Sequence, residues 1–214
     1  MSNTKKRDLV DAAYELLKTT SPKDITARLI ADKAGCTNPI IYYYFDNLDH
    51  LLLLASARFY EEYLTEVNSI ISDENINPYD LHMQAWRVFA KIAFSQVEIY
   101  DMLFWGKFRC RAGEGLAEYY QLFPERHPNL GGSYSMVFFM DDVVERTYLV
   151  LKMAASEGEF PSEGLHMFAE IQCAMFRSIL LEYVDTYRDP AQAQAGLERS
   201  LKLLEFLNSL YRIA

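Results

Sequence analysis

The stretch Thr26-Ala27-Arg28-Leu29-Ile30-Ala31-Asp32-Lys33-Ala34-Gly35-Cys36-Thr37-Asn38-Pro39-Ile40-Ile41-Tyr42-Tyr43-Tyr44-Phe45 reads as two short helices meeting at a sharp turn. Thr26 carries an oxygen able to accept from a first-turn N–H, so it suits the N-cap of a helix over about 27–34. Ile30, Ala31 and Ala34 give that helix an apolar face whose small residues permit close approach. Gly35 stands where the chain must leave the helix with positive φ. Pro39 falls in the first turn of the second helix, where a missing N–H costs nothing. Ile41 and Phe45, four residues apart, would dock that helix inward and leave Asn38, Pro39, Tyr42 and Tyr43 outward. Three consecutive tyrosines cannot all be buried on so short a helix. Their hydroxyls suit phosphate oxygens, and their rings suit sugars or thymine methyls.

Outward from this unit the chain reads as helix almost throughout, because strand-like alternation is absent. An amphipathic helix over about 4–19 precedes it, with Leu9, Ala12, Ala13, Leu16 and Leu17 on one face, and Ser21-Pro22 follows. Asp46-Asn47 can cap a long helix over about 48–72, and Asn75 to Pro78 reads as a turn before a helix to about Ser95. His82, near the start of that helix, is expected at the surface. The segment 97–123 reads as helix broken near Gly106 and at Gly113 and Gly115, and 124–132 as an exposed loop. Three long helices, near 134–156, 163–188 and 190–212, complete an all-α chain of about nine to ten helices. The division expected is a three-helix head, 1–47, and a larger helical bundle, 48–214.

Charge divides along the same line. Residues 1–50 carry seven Lys/Arg and seven Asp/Glu, so the net charge of −9 lies in the remainder. A polyanion would be repelled by the body and tolerated only at the head, giving a modest, salt-sensitive grip. No run approaches the roughly 18 apolar residues of a membrane span, so no membrane partner is expected. The polar start, without a secretory signal, and three scattered cysteines point to a reduced, cytoplasmic setting.

The spacing T-x-x-x-I-A-x-x-A-G, a hydroxyl residue, then x-P-x-[IL]-Y-x-Y-F and an apolar pair resembles the signature of the TetR family of bacterial transcriptional regulators. It is met at Thr26, Ile30, Ala31, Ala34, Gly35, Thr37, Pro39, Ile41, Tyr42, Tyr44, Phe45, Leu51 and Leu52. The resemblance implies that the head binds double-stranded operator DNA. Thr26 and Arg28 would meet phosphates, with Arg28 also near a guanine edge. Asn38, Pro39, Ile40 and Tyr43 would face bases, and Thr37, Tyr42 and Tyr44 would hold phosphates. Lys5, Lys6 and Arg7 would add charge from the N-terminal arm. Two departures stand out. Leu48 occupies the place of a usual lysine, and Ser21-Pro22 replaces a usual glycine at the end of the first helix.

The same resemblance implies a body that binds a small effector and forms a homodimer through the last two helices. Leu165, Phe168, Met175, Phe176, Ile179, Tyr183, Leu197, Leu201, Leu204 and Tyr211 make apolar faces broad enough for such an interface. Trp86, Phe89, Tyr100, Phe104, Trp105, Phe108, Met136, Phe139, Met140 and Tyr148 are the candidate lining of an apolar ligand cavity. Lys107, Arg109 and Arg111 form a small cationic cluster that reads first as solvated surface and second as a seat for an anionic head group.

No metal, cofactor or catalytic centre is expected. The four histidines are far apart, and no nucleophile elbow, P-loop or dinucleotide fingerprint is present. The expectation is a regulator, acting as a repressor, released from a palindromic operator by an apolar or amphipathic ligand. Its rivals are a protein of the same fold acting through protein–protein contacts, and a helical carrier of hydrophobic ligands without DNA function.

Overall fold

The computed structural model describes residues 2–71, 73, 75–127, 137, 140 and 142–213. Among these the elements are α1 (Ser2–Leu17), α2 (Ala27–Lys33), α3 (Asn38–Tyr44), α4 (Leu48–Ile71), α5 (Pro78–Ser95), α6 (Val97–Phe104), α7 (Ala112–Leu122), α8 (Val143–Ser156), α9 (Leu165–Glu182) and α10 (Pro190–Tyr211). Single 3₁₀ turns lie at Pro22–Asp24 and Pro124–Arg126. The architecture is all-α, as the periodicity implied, with a helix-turn-helix at its N-terminal end.

The helix α4 is the axis. Leu51, Leu52, Leu53 and Leu54 are consecutive and all buried, which on a 3.6-residue period means apolar neighbours on every side. It packs against α1, α5, α6 and α7. Asn47 starts it by accepting the His50 N–H at 2.9 Å. A single apolar core therefore runs from Leu9 and Ile30 in the head through α4 to Phe176 and Leu204 in the body. A second cluster, around Leu151, Phe160 and Phe168, joins α8 to α9.

Several boundaries differ from the sequence reading. Gly113 and Gly115 do not break a helix; both lie inside α7. A Cβ on Gly115 would stand 2.9 Å from Leu53 Cγ and Cδ1, so glycine there is what lets α7 lie close on α4. The real interruption runs from Trp105 to Arg111, around Gly106. Within the stretch foreseen as a helix at 134–156, α8 starts at Val143, where Asp142 caps it by accepting from the N–H groups of Val144 (2.7 Å) and Glu145 (3.3 Å). Residues 128–136, in the foreseen loop and helix start, lie outside the described residues.

His82 is not at the surface; it is 2% exposed on the inner face of α5. Asn77 caps α5 and Pro78 occupies its first turn. Residue 82 therefore falls one turn after Pro78 and Tyr79, on the same side as Trp86 and Phe89, and shares their burial.

On α9 and α10 the inner faces are filled by Leu165, Phe168, Phe176, Ile179 and Leu204. These residues belong to the core of one chain. A different set faces out: Met167 (66% exposed), Ile171, Leu181, Phe206 (57%) and Leu210. Each helix thus carries an uncovered apolar pair one turn apart, Met167 and Ile171 on α9 and Phe206 and Leu210 on α10, with Leu181 farther along α9.

Candidate nucleic-acid interface

The α2–α3 unit owes its geometry to caps at each end. The Thr26 side chain accepts from the Leu29 N–H at 3.3 Å and starts α2. At the other end the Cys36 N–H reaches Ala31 O at 2.9 Å, and the Gly35 N–H reaches Asp32 O at 3.3 Å. This bond pair, with Gly35 at φ +61°, is the Schellman termination. Lys5 Nζ donates to Ala34 O at 2.9 Å, adding a side-chain partner for a carbonyl freed at the helix end. Nothing lies within 4 Å of a Cβ built on Gly35, so its φ alone demands glycine there. Gly35→Ala is therefore expected to destabilise by about 1–2 kcal/mol and Gly35→Asn by less. Thermal denaturation of the two variants checks this, since equal losses would mean that φ is not the cause.

Helix α3 is anchored by Ile41 and Phe45, 0% and 2% exposed. Phe45 meets His50 edge-on at 5.6 Å, and the Lys6 ammonium lies 5.2 Å from its ring centroid. Opposite this anchor Tyr42 and Tyr43 stand 58% and 77% exposed, beside exposed Thr37, Asn38 and Pro39. Thr37 is the N-cap residue, yet its hydroxyl makes no capping bond and is left for an outside partner. Ile40 and Tyr44 are half-buried against the core, with Tyr44 in edge contact with Tyr43 at 4.9 Å. Thr26 and Arg28 are exposed at the start of α2, with Arg28 3.8 Å from Asp32.

The basic N-terminal residues are engaged within the chain. Lys6 pairs with Glu118 of α7 at 2.9 Å, and Arg7 pairs with Glu125. Glu118 also meets His50 Nε2 at 2.8 Å, so one carboxylate ties α1, α4 and α7 together. Its own pKa is lowered: burial works to raise it, and the hydrogen bonds and charges of Lys6 and His50 outweigh that. The Ser21 hydroxyl bonds Glu98 of α6, which also accepts from Tyr187 and Arg188 of the segment after α9. The departure at Ser21-Pro22 thus becomes a contact between head and body. Leu48 is half-buried against the core, so it adds packing where a cation would have added charge.

Residues 9–55 match the family model described as bacterial regulatory proteins, tetR family. The head is a TetR-family domain. Solved TetR-family structures share the fold over nearly the whole chain. A TetR transcription regulator from Haloarcula marismortui is 16% identical, with 98% of this chain and 99% of that one aligned at a TM-score of 0.61. Thermus thermophilus FadR, a TetR-family transcriptional repressor solved with lauroyl-CoA, is 16% identical, with 93% and 92% aligned at 0.55. SmeT, repressor of the Stenotrophomonas maltophilia multidrug efflux pump SmeDEF, is 15% identical, with 97% and 90% aligned at 0.54. No curated protein sequence matches the chain. At these identities the structures establish a TetR-like fold for the body and nothing finer.

Within that TetR-like body, the candidate ligand residues fall in different places. Trp86 and Phe89 line a cavity between α5 and α8, together with Tyr63, His82, Ala85, Val143, Arg146, Thr147 and Val150. Tyr100, Phe104 and Phe108 are fully buried core, and Trp105 is half-buried against it. Tyr148 packs in the α8–α9 cluster beside His166, at 5.4 Å, and Met140 is half-buried ahead of α8. Met136 and Phe139 lie outside the described residues. Lys107, Arg109 and Arg111 pair at the surface with Asp49 (2.6 Å), Asp142 (3.7 Å) and Glu114 (3.0 Å), each with its side chain more than two-fifths exposed. They form a solvated patch.

Arg146 was not foreseen in the sequence. Its only signal was an arginine beside Glu145 in the first turn of a largely apolar helix. Among the described residues no group of three or more His, Cys, Asp or Glu could hold a metal, and no helix is long and apolar enough to cross a membrane.

Proposed function

We propose that the chain is an operator-binding transcriptional regulator, working as a homodimer and released from DNA by a small molecule held in the body. The carrying observation is the two-sided character of α3. Ile41 and Phe45 are sealed inside, while Asn38, Pro39, Tyr42 and Tyr43 form one exposed surface. Thr37 at the helix start, with an uncapped hydroxyl, and exposed Thr26 and Arg28 flank that surface and suit phosphates. Lys5 and Lys6, engaged with Ala34 and Glu118, act first as head-positioning residues. Their contribution to phosphate contact is as long-range charge.

Dimerisation assigns the exposed stripes of α9 and α10 to a four-helix interface, which would set two heads at a groove spacing of roughly 34–36 Å or a multiple. The structure of Thermus thermophilus FadR with lauroyl-CoA, which shares this fold, supports an effector site in this body. Repression is the sign favoured, by analogy with the repressors among those relatives.

DNA selected from a random pool tests the reading. Bound sequences should be pseudo-palindromic, and affinity should fall steeply with salt, by a slope of about −0.9 per phosphate neutralised. Tyr42→Ala should weaken binding to all sequences alike, by about 1 kcal/mol per head. Asn38→Ala should relax preference at one base pair, by about 1–3 kcal/mol of discrimination. Recovery of no sequence above background would refute the proposal, and identical behaviour of the two variants would refute the assigned roles.

A further inference from the structure

The cavity between α5 and α8 holds a charge with no carboxylate partner among the described residues, that of Arg146, which is 5% exposed. Its guanidinium donates to the Tyr60 hydroxyl and lies 5.2–5.6 Å from the ring centroids of Tyr60, Tyr63, Phe89 and Phe104. Arginine stays protonated in proteins and presents five N–H donors in a planar fork shaped for a carboxylate. A cage of rings offsets part of the desolvation of that cation, but the one acceptor it is seen to offer is the Tyr60 hydroxyl, fewer than a bidentate carboxylate would supply.

A second polar group faces the same space. His82 lines the cavity, and its Nε2 makes no hydrogen bond of normal geometry, although the buried Gln172 amide lies near enough to interact with the ring. Burial holds the imidazole neutral, with its pKa pushed down to about 4, so it can donate one N–H without bringing a second buried charge. The rest of the wall is mostly apolar, with Ala85, Trp86, Phe89, Val143 and Val150, and its Thr147 hydroxyl is spent on Val143 O.

We propose that this cavity binds a small organic carboxylate, with its oxygens on Arg146 and His82 and its apolar part against Trp86 and Val150. The inference rests on the effector reading above and gives that effector its chemical class. About 30 Å³ is open in the cavity, room for little more than one water, so the ligand enters by parting α5 from α8. Helix α5 packs on α4, which begins beside the recognition helix, and on α10, which carries part of the outward apolar stripe. Widening the cavity therefore strains the helices that set the spacing of the heads.

The test uses the free, full-length protein without DNA. Benzoate and hexanoate are titrated against their neutral amides, benzamide and hexanamide, and against sodium chloride, with calorimetry and Trp86 fluorescence as readouts. The carboxylates are expected to bind at least about 30-fold more tightly than the matched amides. Arg146→Met should abolish that preference, and Arg146→Lys should keep part of it. If Arg146→Met fails to fold, the carboxylate–amide contrast in the wild type and in Arg146→Lys still decides. Equal binding of acid and amide, no binding of either, or chloride competing as well as benzoate would overturn the inference. Operator binding by the same preparation is measured separately. A protein that binds selected DNA but not carboxylates loses this inference alone, whereas one that binds carboxylates but no DNA loses the regulatory reading.

Discussion

Phe45→Ala is expected to abolish the proposed operator binding and to lower global stability by about 3–5 kcal/mol, the usual cost of emptying a buried aromatic site. Phe45 is 2% exposed and ends the recognition helix, with its N–H bonded to Ile41 O at 2.9 Å. Its ring is shared by His50 of α4 and Lys6 of α1, so removing it unseats α3 from both of the elements that orient it. The core runs unbroken from head to body, so the loss appears in a single cooperative transition and not as a melted head on an intact bundle. Chemical denaturation followed by far-ultraviolet circular dichroism measures the first effect, and a fluorescence-anisotropy titration of selected DNA measures the second. A loss below about 1 kcal/mol, or DNA affinity unchanged, would show that α3 is held by something other than this anchor.

The second large effect concerns the outward stripe. Met167→Asp combined with Phe206→Asp should give a folded monomer with little loss of chain stability, because the two side chains are 66% and 57% exposed. Burying like charges in a facing pair of helices is costly, so association fails while each bundle stays intact. A lone head then reads one half-site and loses the avidity of the pair, an expected drop of about 10²–10⁴ in operator affinity. Sedimentation gives the mass and anisotropy gives the affinity. A double variant that remains a dimer would place the interface elsewhere, and a monomer that keeps full affinity would mean that pairing is not what grips the DNA.

The helix-turn-helix was legible because its determinants are local. A hydroxyl N-cap at Thr26, a positive-φ glycine at Gly35 and a proline in the first turn at Pro39 act over four or five residues of chain. The split of α3 into a docked face and an exposed one follows from its 3.6-residue period alone. The N-terminal cations were harder to place. Nothing near Lys6 and Arg7 in sequence announces Glu118 and Glu125, more than a hundred residues away, which engage them.

By itself, the sequence determined the helical class, the helix-turn-helix and the split of α3 into a docked and an exposed face, and the placing of the negative charge beyond residue 50. All of these are set by period, caps and composition. Only the tertiary structure decided which apolar residues are spent on the core of one chain and which are left for a partner. On α9 and α10 both kinds occur at helical spacing, and their difference lies in which neighbour covers them. It also decided that His82 is buried and that Arg146 lies among four rings with no carboxylate partner among the described residues. Both groups owe their character to side chains from α4, α5, α6 and α9, brought together by packing, and no local pattern encodes that grouping.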